Sequence, residues 1–403
     1  MYIVSELLVD DGREPEANQG TKHRRAFKGL PVWSTLCMLL TMLWTLASST
    51  EIALADPQES EGVPGTTRSA EETWISDVCW LDDQRVAGTQ SQGLLLRPGA
   101  VVTAGVESLS ELTRIGSANT SLWAITPGAG AGTPPVPGCY VSDYKGEIQF
   151  FPINANGAAS SAKLESNLRW TRALAVGPAQ KMLLAGSEDG KLVCFDLEDA
   201  KADDGKNVVQ ENKIVAAHSG AIFDIVFGPH GERVATCGAD GKIAIFSWPD
   251  LESVGELRDG NETIWSIAFV GEDKMVSGGS GRRVRLWDLG EQELVCSIAT
   301  AHDWVSSLSV LPDTQLVLAT CVNGDLIVCD VNSKTPLERK RIAQSAIWSA
   351  ALSPDVSKLL VGTRKHGFQI VELQDWSEAL EIAADAVESR KPPKPLQSGT
   401  SGL

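Results

Sequence analysis

From residue 74 onward, short apolar runs with period-two alternation recur, each cut by a turn rich in Gly, Asp, Asn or Ser. "KMVSGGSGRRVRLWD" (274–288) is one such unit, with strand, tight turn and second strand. "RVATCGADGKIAIFS" (233–247), "LVLATCVNGDLIVCD" (316–330), "MLLAGSEDGKLVCFD" (182–196) and "KLLVGTRKHGFQIVE" (358–372) fit the same frame. Looser copies are "QRVAGTQSQGLLLR" (84–97) and "GCYVSDYKGEIQFF" (138–151). A third strand precedes each unit, as in "AIFDIVFGPHG", "TIWSIAFVGED" and "AIWSAALSPDV", and its following turn carries Pro, Gly or Asp. With the turn position at Gly93, Gly146, Gly190, Gly241, Arg282, Gly324 and His366, successive steps are 53, 44, 51, 41, 42 and 42 residues. Three short strands per step, with a fourth across the connector, predict an all-β propeller of seven four-stranded blades, with six or eight as alternatives. The connectors around 107–119, 153–167 and 199–213 read as surface loops.

The repeat resembles the WD-repeat (Trp-Asp repeat) β-propeller family over roughly residues 74–385. Trp287-Asp288 matches the family's Trp-Asp ending outright, and Phe195-Asp196 and Cys329-Asp330 match it in part. His218 and His302 stand at the family's Gly-His histidine, each preceded by Ala. Asp189 and Asp240 take the place of its tight-turn aspartate, with Asn323 at the same place in blade six. The resemblance implies that Trp287 packs between blades and that His218 hydrogen-bonds toward Asp240. It also implies a scaffold that binds a protein or peptide through one face of the ring.

Aromatic residues recur at the entry to the first strand of the repeat. Trp74, Trp170 and Trp304 share one repeat position, and Phe223, Trp265 and Trp348 lie two residues later, on the same strand face. In the resembled family this end opens at the channel mouth used for partners. The rings serve either as that partner-binding face or as filler of the channel.

Charge narrows the class of partner. The net charge of −17 lacks the basic field that nucleic-acid binding demands, and it favours a basic or neutral partner. "SGGSGRR" lies between two strands without G-x-x-x-x-G-K-[ST], so it is no phosphate loop. Arg282, Arg283 and Arg285 read as a local feature of a blade surface. No nucleophile elbow, Cys-x-x-Cys pair or Cys/His cluster is present. The expectation is therefore a non-enzymatic protein with no catalytic residue, metal or cofactor. The alternative is a hydrolase- or lactonase-like propeller enzyme, or a small-ligand propeller, using channel carboxylates.

The N-terminal segment has another character. Basic "TKHRRAFKG" precedes apolar "LPVWSTLCMLLTMLWTLASS" and then "TEIALA", the layout of an export signal cleaved after Ala55 or of a membrane anchor. The expected organisation is a signal or anchor at 1–55, an acidic linker at 56–73, the propeller at 74–387 and a disordered tail at 388–403. The expected location is periplasmic, extracellular or membrane-anchored. Outside the signal the seven cysteines read as buried free thiols.

Overall fold

Alternation of apolar residues on both faces of short strands cannot be satisfied by one sheet in water, so the sheets must stack on one another. The computed structural model describes residues 74–373, apart from short stretches at 92–96, 131–135, 154–161 and 165–167 and a few further positions. Seven antiparallel blades close into a ring. Blade 1 holds β1 (Trp74–Trp80), β2 (Arg85–Ser91), β3 (Gly99–Gly105) and β4 (Ser108–Ala118). Blade 2 holds β5 (Leu122–Gly130), β6 (Val136–Asp143), β7 (Ile148–Pro152) and β8 (Ala162–Leu164). Blade 3 begins with β9 (Ala173–Val176), β10 (Met182–Gly186) and β11 (Lys191–Asp196). Its chain then forms a hairpin, β12 (Lys201–Asp203) and β13 (Lys206–Val209), before its own outer strand β14 (Glu211–Ala216). The hairpin adds to blade 2, where β13 pairs in parallel with β8, and so stitches two blades together.

Blade 4 comprises β15 (Ile222–Phe227), β16 (Arg233–Gly238), β17 (Lys242–Ser247) and β18 (Ser253–Arg258). Blade 5 comprises β19 (Ile264–Val270), β20 (Lys274–Gly279), β21 (Arg283–Asp288) and β22 (Glu293–Thr300). Blade 6 comprises β23 (Val305–Val310), β24 (Leu316–Cys321), β25 (Asp325–Asp330) and β26 (Thr335–Arg341). Blade 7 has β27 (Ile347–Leu352), β28 (Lys358–Thr363) and β29 (Phe368–Glu372) among the described residues. The stretches expected as loops at 107–119, 153–167 and 199–213 instead contain β4, β8, the β12–β13 hairpin and the start of β14, because the outer edge of each inner trio needs pairing. The segment 377–387, the N-terminal 1–73 and the tail 388–403 lie outside the described residues.

The core sits between blades. Val276, Val284 and Leu286 of blade 5 pack on Val305, Val317 and Ile327 of blade 6. Across the other side of blade 5, Met275 and Trp287 pack on Cys237, Ile243 and Ile245 of blade 4. The ring closes the same way, with Ile75, Val78 and Trp80 of blade 1 against Leu360 and Phe368 of blade 7. There the Trp80 indole Nε1 donates to the Ala351 carbonyl at 2.9 Å. All seven described cysteines are free, and six are buried.

The repeat residues hold local geometry. Gly146, Gly190, Gly241 and Gly324 all have positive φ at the turn between the second and third strands. A Cβ on Gly190 would stand 2.0 Å from the His218 carbonyl oxygen, so only glycine fits there. Blade 5 places Arg282 at that turn with φ 54°. Trp287, 1% exposed, donates from Nε1 to Ser277 Oγ at 2.8 Å. Asp288 accepts the Gly290 and Glu291 N–H groups and so caps the turn after β21.

His218 bridges Asp240 Oδ1 at 2.9 Å and Thr236 Oγ1 at 2.8 Å. Burial pushes the Asp240 carboxyl up, but the His218 contact and the Ser219 and Lys242 N–H groups outweigh it and hold the group at about 2. His302 differs, being 69% exposed and 3.4 Å from Asp325. Asp189 bonds Ser187 and pairs with Lys191 rather than with a histidine. Arg285, expected on a blade surface, is buried between Asp259 and Glu262. Arg283 and Arg285 share a face of β21, but Arg283 opens the strand and is exposed while Arg285 is buried, and two acids compensate its charge.

Candidate partner-binding site at the channel mouth

The innermost strands of neighbouring blades touch one another around the ring and so form the channel wall. Each of six such strands skips one residue in its pairing near its start, for example between Ile222 and Asp224 and between Ile264 and Ser266. A β-bulge turns its extra residue out of the ladder. The skipped residues are Trp123, Phe223, Trp265 and Trp348 in blades 2, 4, 5 and 7, and Ser76 and Ser306 in blades 1 and 6. All six line a single cavity of about 740 Å³. Blade 3 brings Arg172, just before β9, to the same cavity.

In the three blades with serine or arginine at this place, the aromatic ring stands two residues earlier, at Trp74, Trp170 and Trp304. Every blade therefore delivers one large ring to this end of the channel. Trp74, Trp170, Phe223, Trp265 and Trp348 line the cavity, and Trp304 packs edge-on against Trp265 with centroids 4.9 Å apart. Trp348 links Trp265 at 6.5 Å to Trp74 at 5.9 Å, making one aromatic arc. On the opposite side Trp123 and Trp170 lie 6.0 Å apart, with Tyr144 edge-on to Trp170. Between them sits the Arg172 guanidinium, 4.7 Å from the Trp123 ring centroid, 5.4 Å from Trp170 and 4.8 Å from Phe223. Burial lowers its pKa to about 10, and the nearby Glu188 opposes that shift.

Trp123 and Arg172 were not legible in the repeat pattern. Trp123 precedes its turn glycine Gly146 by 23 positions, against 17 or 18 for the bulge aromatics of blades 4, 5 and 7. The long β5–β6 hairpin displaces it from the common frame. Arg172 has no counterpart in the other blades, so only its offset of two from Trp170 marked it.

Below the rings the wall is laced by polar side chains that follow the bulge. Ser349 Oγ donates to Asp77 Oδ1 at 2.6 Å, and the Ile125 N–H donates to Asp77 Oδ2, so Asp77 ties blade 1 to both neighbours. Asp224 Oδ2 accepts from Ser266 Oγ and the Ile267 N–H, which joins blades 4 and 5. Ser266 Oγ in turn accepts the Leu308 N–H of blade 6, and Ser307 Oγ donates to the Ala350 carbonyl of blade 7. Burial pushes the Asp77 and Asp224 carboxyls up to about 6, against the hydrogen bonds they accept. Among the described residues no group of three or more His, Cys, Asp or Glu side chains is placed to share a metal ion.

The WD domain, G-beta repeat model matches residues 210–247 and 252–288, which contain the outer strand of blade 3 and most of blades 4 and 5. WD repeat-containing protein 55 of Arabidopsis thaliana is 22% identical over 188 residues, covering 46% of this chain and 52% of that protein. DDB1- and CUL4-associated factor 10 of Danio rerio is 22% identical over 189 residues, covering 45% and 37%, and its Homo sapiens counterpart is 22% identical over 170 residues, covering 41% and 30%. The matched region thus spans about half or less of these relatives' own length. The relatives are nuclear or cytoplasmic proteins, which overturns the expectation that this chain is exported to the periplasm or the exterior. Seven blades, the repeat-model matches over 210–247 and 252–288 and these relatives agree: the chain carries WD repeats and is similar to the WD-repeat β-propellers.

Proposed function

We propose that this propeller is a non-enzymatic scaffold that holds a protein or peptide segment at the aromatic mouth of its channel. The observation that carries the reading is the delivery of one aromatic ring to one cavity by six of the seven blades, four of them on bulges. Large rings, partly open and rigidly seated, are what interface hot spots are made of. The relatives named for association with DDB1 and CUL4 support a protein partner as the class. The acidic surface favours a partner that is basic or neutral overall.

Channel carboxylates once suggested a hydrolase-like alternative. Asp77 and Asp224 do line the cavity, but each accepts hydrogen bonds on both oxygens from the wall itself. They are used as ties between blades.

The test is crosslinking and affinity capture from an intracellular extract with wild type, Trp265→Ala and Trp348→Ala. Partners recovered by the wild type and reduced at least tenfold by either substitution support the reading. Equal recovery by variants of unchanged thermal stability overturns it.

A further inference from the structure

The cavity has an imbalance of hydrogen-bonding groups. Its two buried acceptors are occupied, since the carboxylates of Asp77 and Asp224 are filled by backbone N–H and serine hydroxyl groups. Its donors are not. The indole N–H groups of Trp74, Trp123, Trp170 and Trp348 are buried with no acceptor among the described residues. Each orphan donor of this kind costs free energy until an acceptor arrives.

Arg172 adds a cation to this surplus. Three aromatic faces at 4.7–5.4 Å surround its charge, and the Glu188 carboxylate acts on it without forming an ion pair. Ring faces stabilise the cation but accept none of its five N–H donors in a directed bond. The neighbouring cation Lys191 is already paired with Asp189. Arg172 thus has no ion-pair partner among the described residues, and it sits between Trp123 and Trp170, two of the four donors without acceptors.

The geometry points to an anion-reading subsite: Arg172, framed by Trp123, Trp170 and Phe223, receives a carboxylate or phosphate group carried on a side chain of the partner segment. This inference rests on the channel mouth being the partner site. It sharpens that reading, because the aromatic arc alone would suit a cationic side chain equally well. Arg172 already occupies the cation's place on one side, so a second cation there would be repelled, while an anion would complete the pair. The net charge of −17 opposes an anion only at long range, where salt screens within about 8 Å at physiological ionic strength. A partner that is basic overall and carries one acidic anchor satisfies both conditions.

Four nonapeptides identical except for a central glutamate, phosphoserine, glutamine or lysine provide the test. Each is titrated into the full chain, followed by tryptophan fluorescence and by indole N–H resonances. The wild type is expected to bind the glutamate or phosphoserine peptide at least tenfold more tightly than the glutamine peptide, with the Trp123 and Trp170 indole signals shifted. Which anionic peptide ranks first identifies the source of the charge. Arg172→Gln is expected to erase the preference, and Arg172→Lys to keep part of it, since a point charge replaces a planar fork. Preference for lysine, an anion preference that survives in Arg172→Gln, or no binding by any peptide overturns the inference. The ranking on the wild type decides even if a variant fails to fold. Loss of partner capture in Trp265→Ala without any anion preference would leave the scaffold reading standing and remove this one.

Discussion

Replacing His218 by alanine is the sharpest probe of how a blade is held. The imidazole is fully buried and makes two contacts, one to Asp240 and one to Thr236, which is itself buried. Asp240 sits at about 2 in the fold against an ordinary 3.8, and its side chain is 8% exposed. A depression of that size corresponds to about 2 kcal/mol of stability at neutral pH. His218 supplies part of it, and the Ser219 and Lys242 N–H groups supply the rest. Leaving the Thr236 hydroxyl without a partner adds about 1–3 kcal/mol. His218→Ala is therefore expected to lose about 3 kcal/mol at pH 7. Because the Asp240 pKa is lowered in the fold, its contribution is present above about 4 and fades as pH falls toward 2. The gap between wild type and variant should narrow over that window. Urea unfolding of both proteins at pH 7, 4 and 3 measures it. A gap under about 1 kcal/mol at pH 7, or one that stays constant down to pH 3, refutes the reasoning.

Three further outcomes follow from the same geometry. Trp287→Phe removes the bond to Ser277 and part of a packed ring, so about 1–2 kcal/mol should be lost in chemical denaturation, and a neutral result would show that the indole N–H does not matter. Arg282→Gly relieves a positive φ that the other blades assign to glycine, and a gain of about 0.5–1 kcal/mol is expected, with any loss counting against the strain argument. The Asp224 carboxyl is raised to about 6, so its protonated form favours the fold below about 4 and that benefit is lost as pH rises through 6. The stability difference between wild type and Asp224→Asn should accordingly move toward the variant by about 2 kcal/mol from pH 4 to pH 7, and thermal unfolding across that range with no relative change would contradict it.

The repeat was legible because its turn chemistry and alternation are local. Gly146, Gly190, Gly241 and Gly324 mark the hairpins in sequence and adopt the positive φ those turns need. The aromatic entry positions were also readable, since they recur at fixed offsets from the turns. What escaped depends on partners far along the chain. Arg285 reads as a surface residue until Asp259 and Glu262 are seen beside it. The β12–β13 hairpin reads as a loop because its pairing partner, β8, belongs to the preceding blade. Trp123 was hidden by a hairpin of unusual length, and Arg172 by having no equivalent to repeat.

The bond between Ser349 and Asp77 joins positions 272 residues apart. A row of repeats ordinarily frays at its first and last members, because each of those has only one neighbour. Here blades 1 and 7 share a core and two side-chain hydrogen bonds, so the array has a periodic boundary and neither blade is terminal in energy. The kinetic consequence runs the other way. Blade 1 is synthesised first yet has one of its two apolar faces uncovered until blade 7 exists, and closing so long a loop is entropically slow. The seam between them is therefore the last part of the ring to become protected and, once formed, as hard to open as any other.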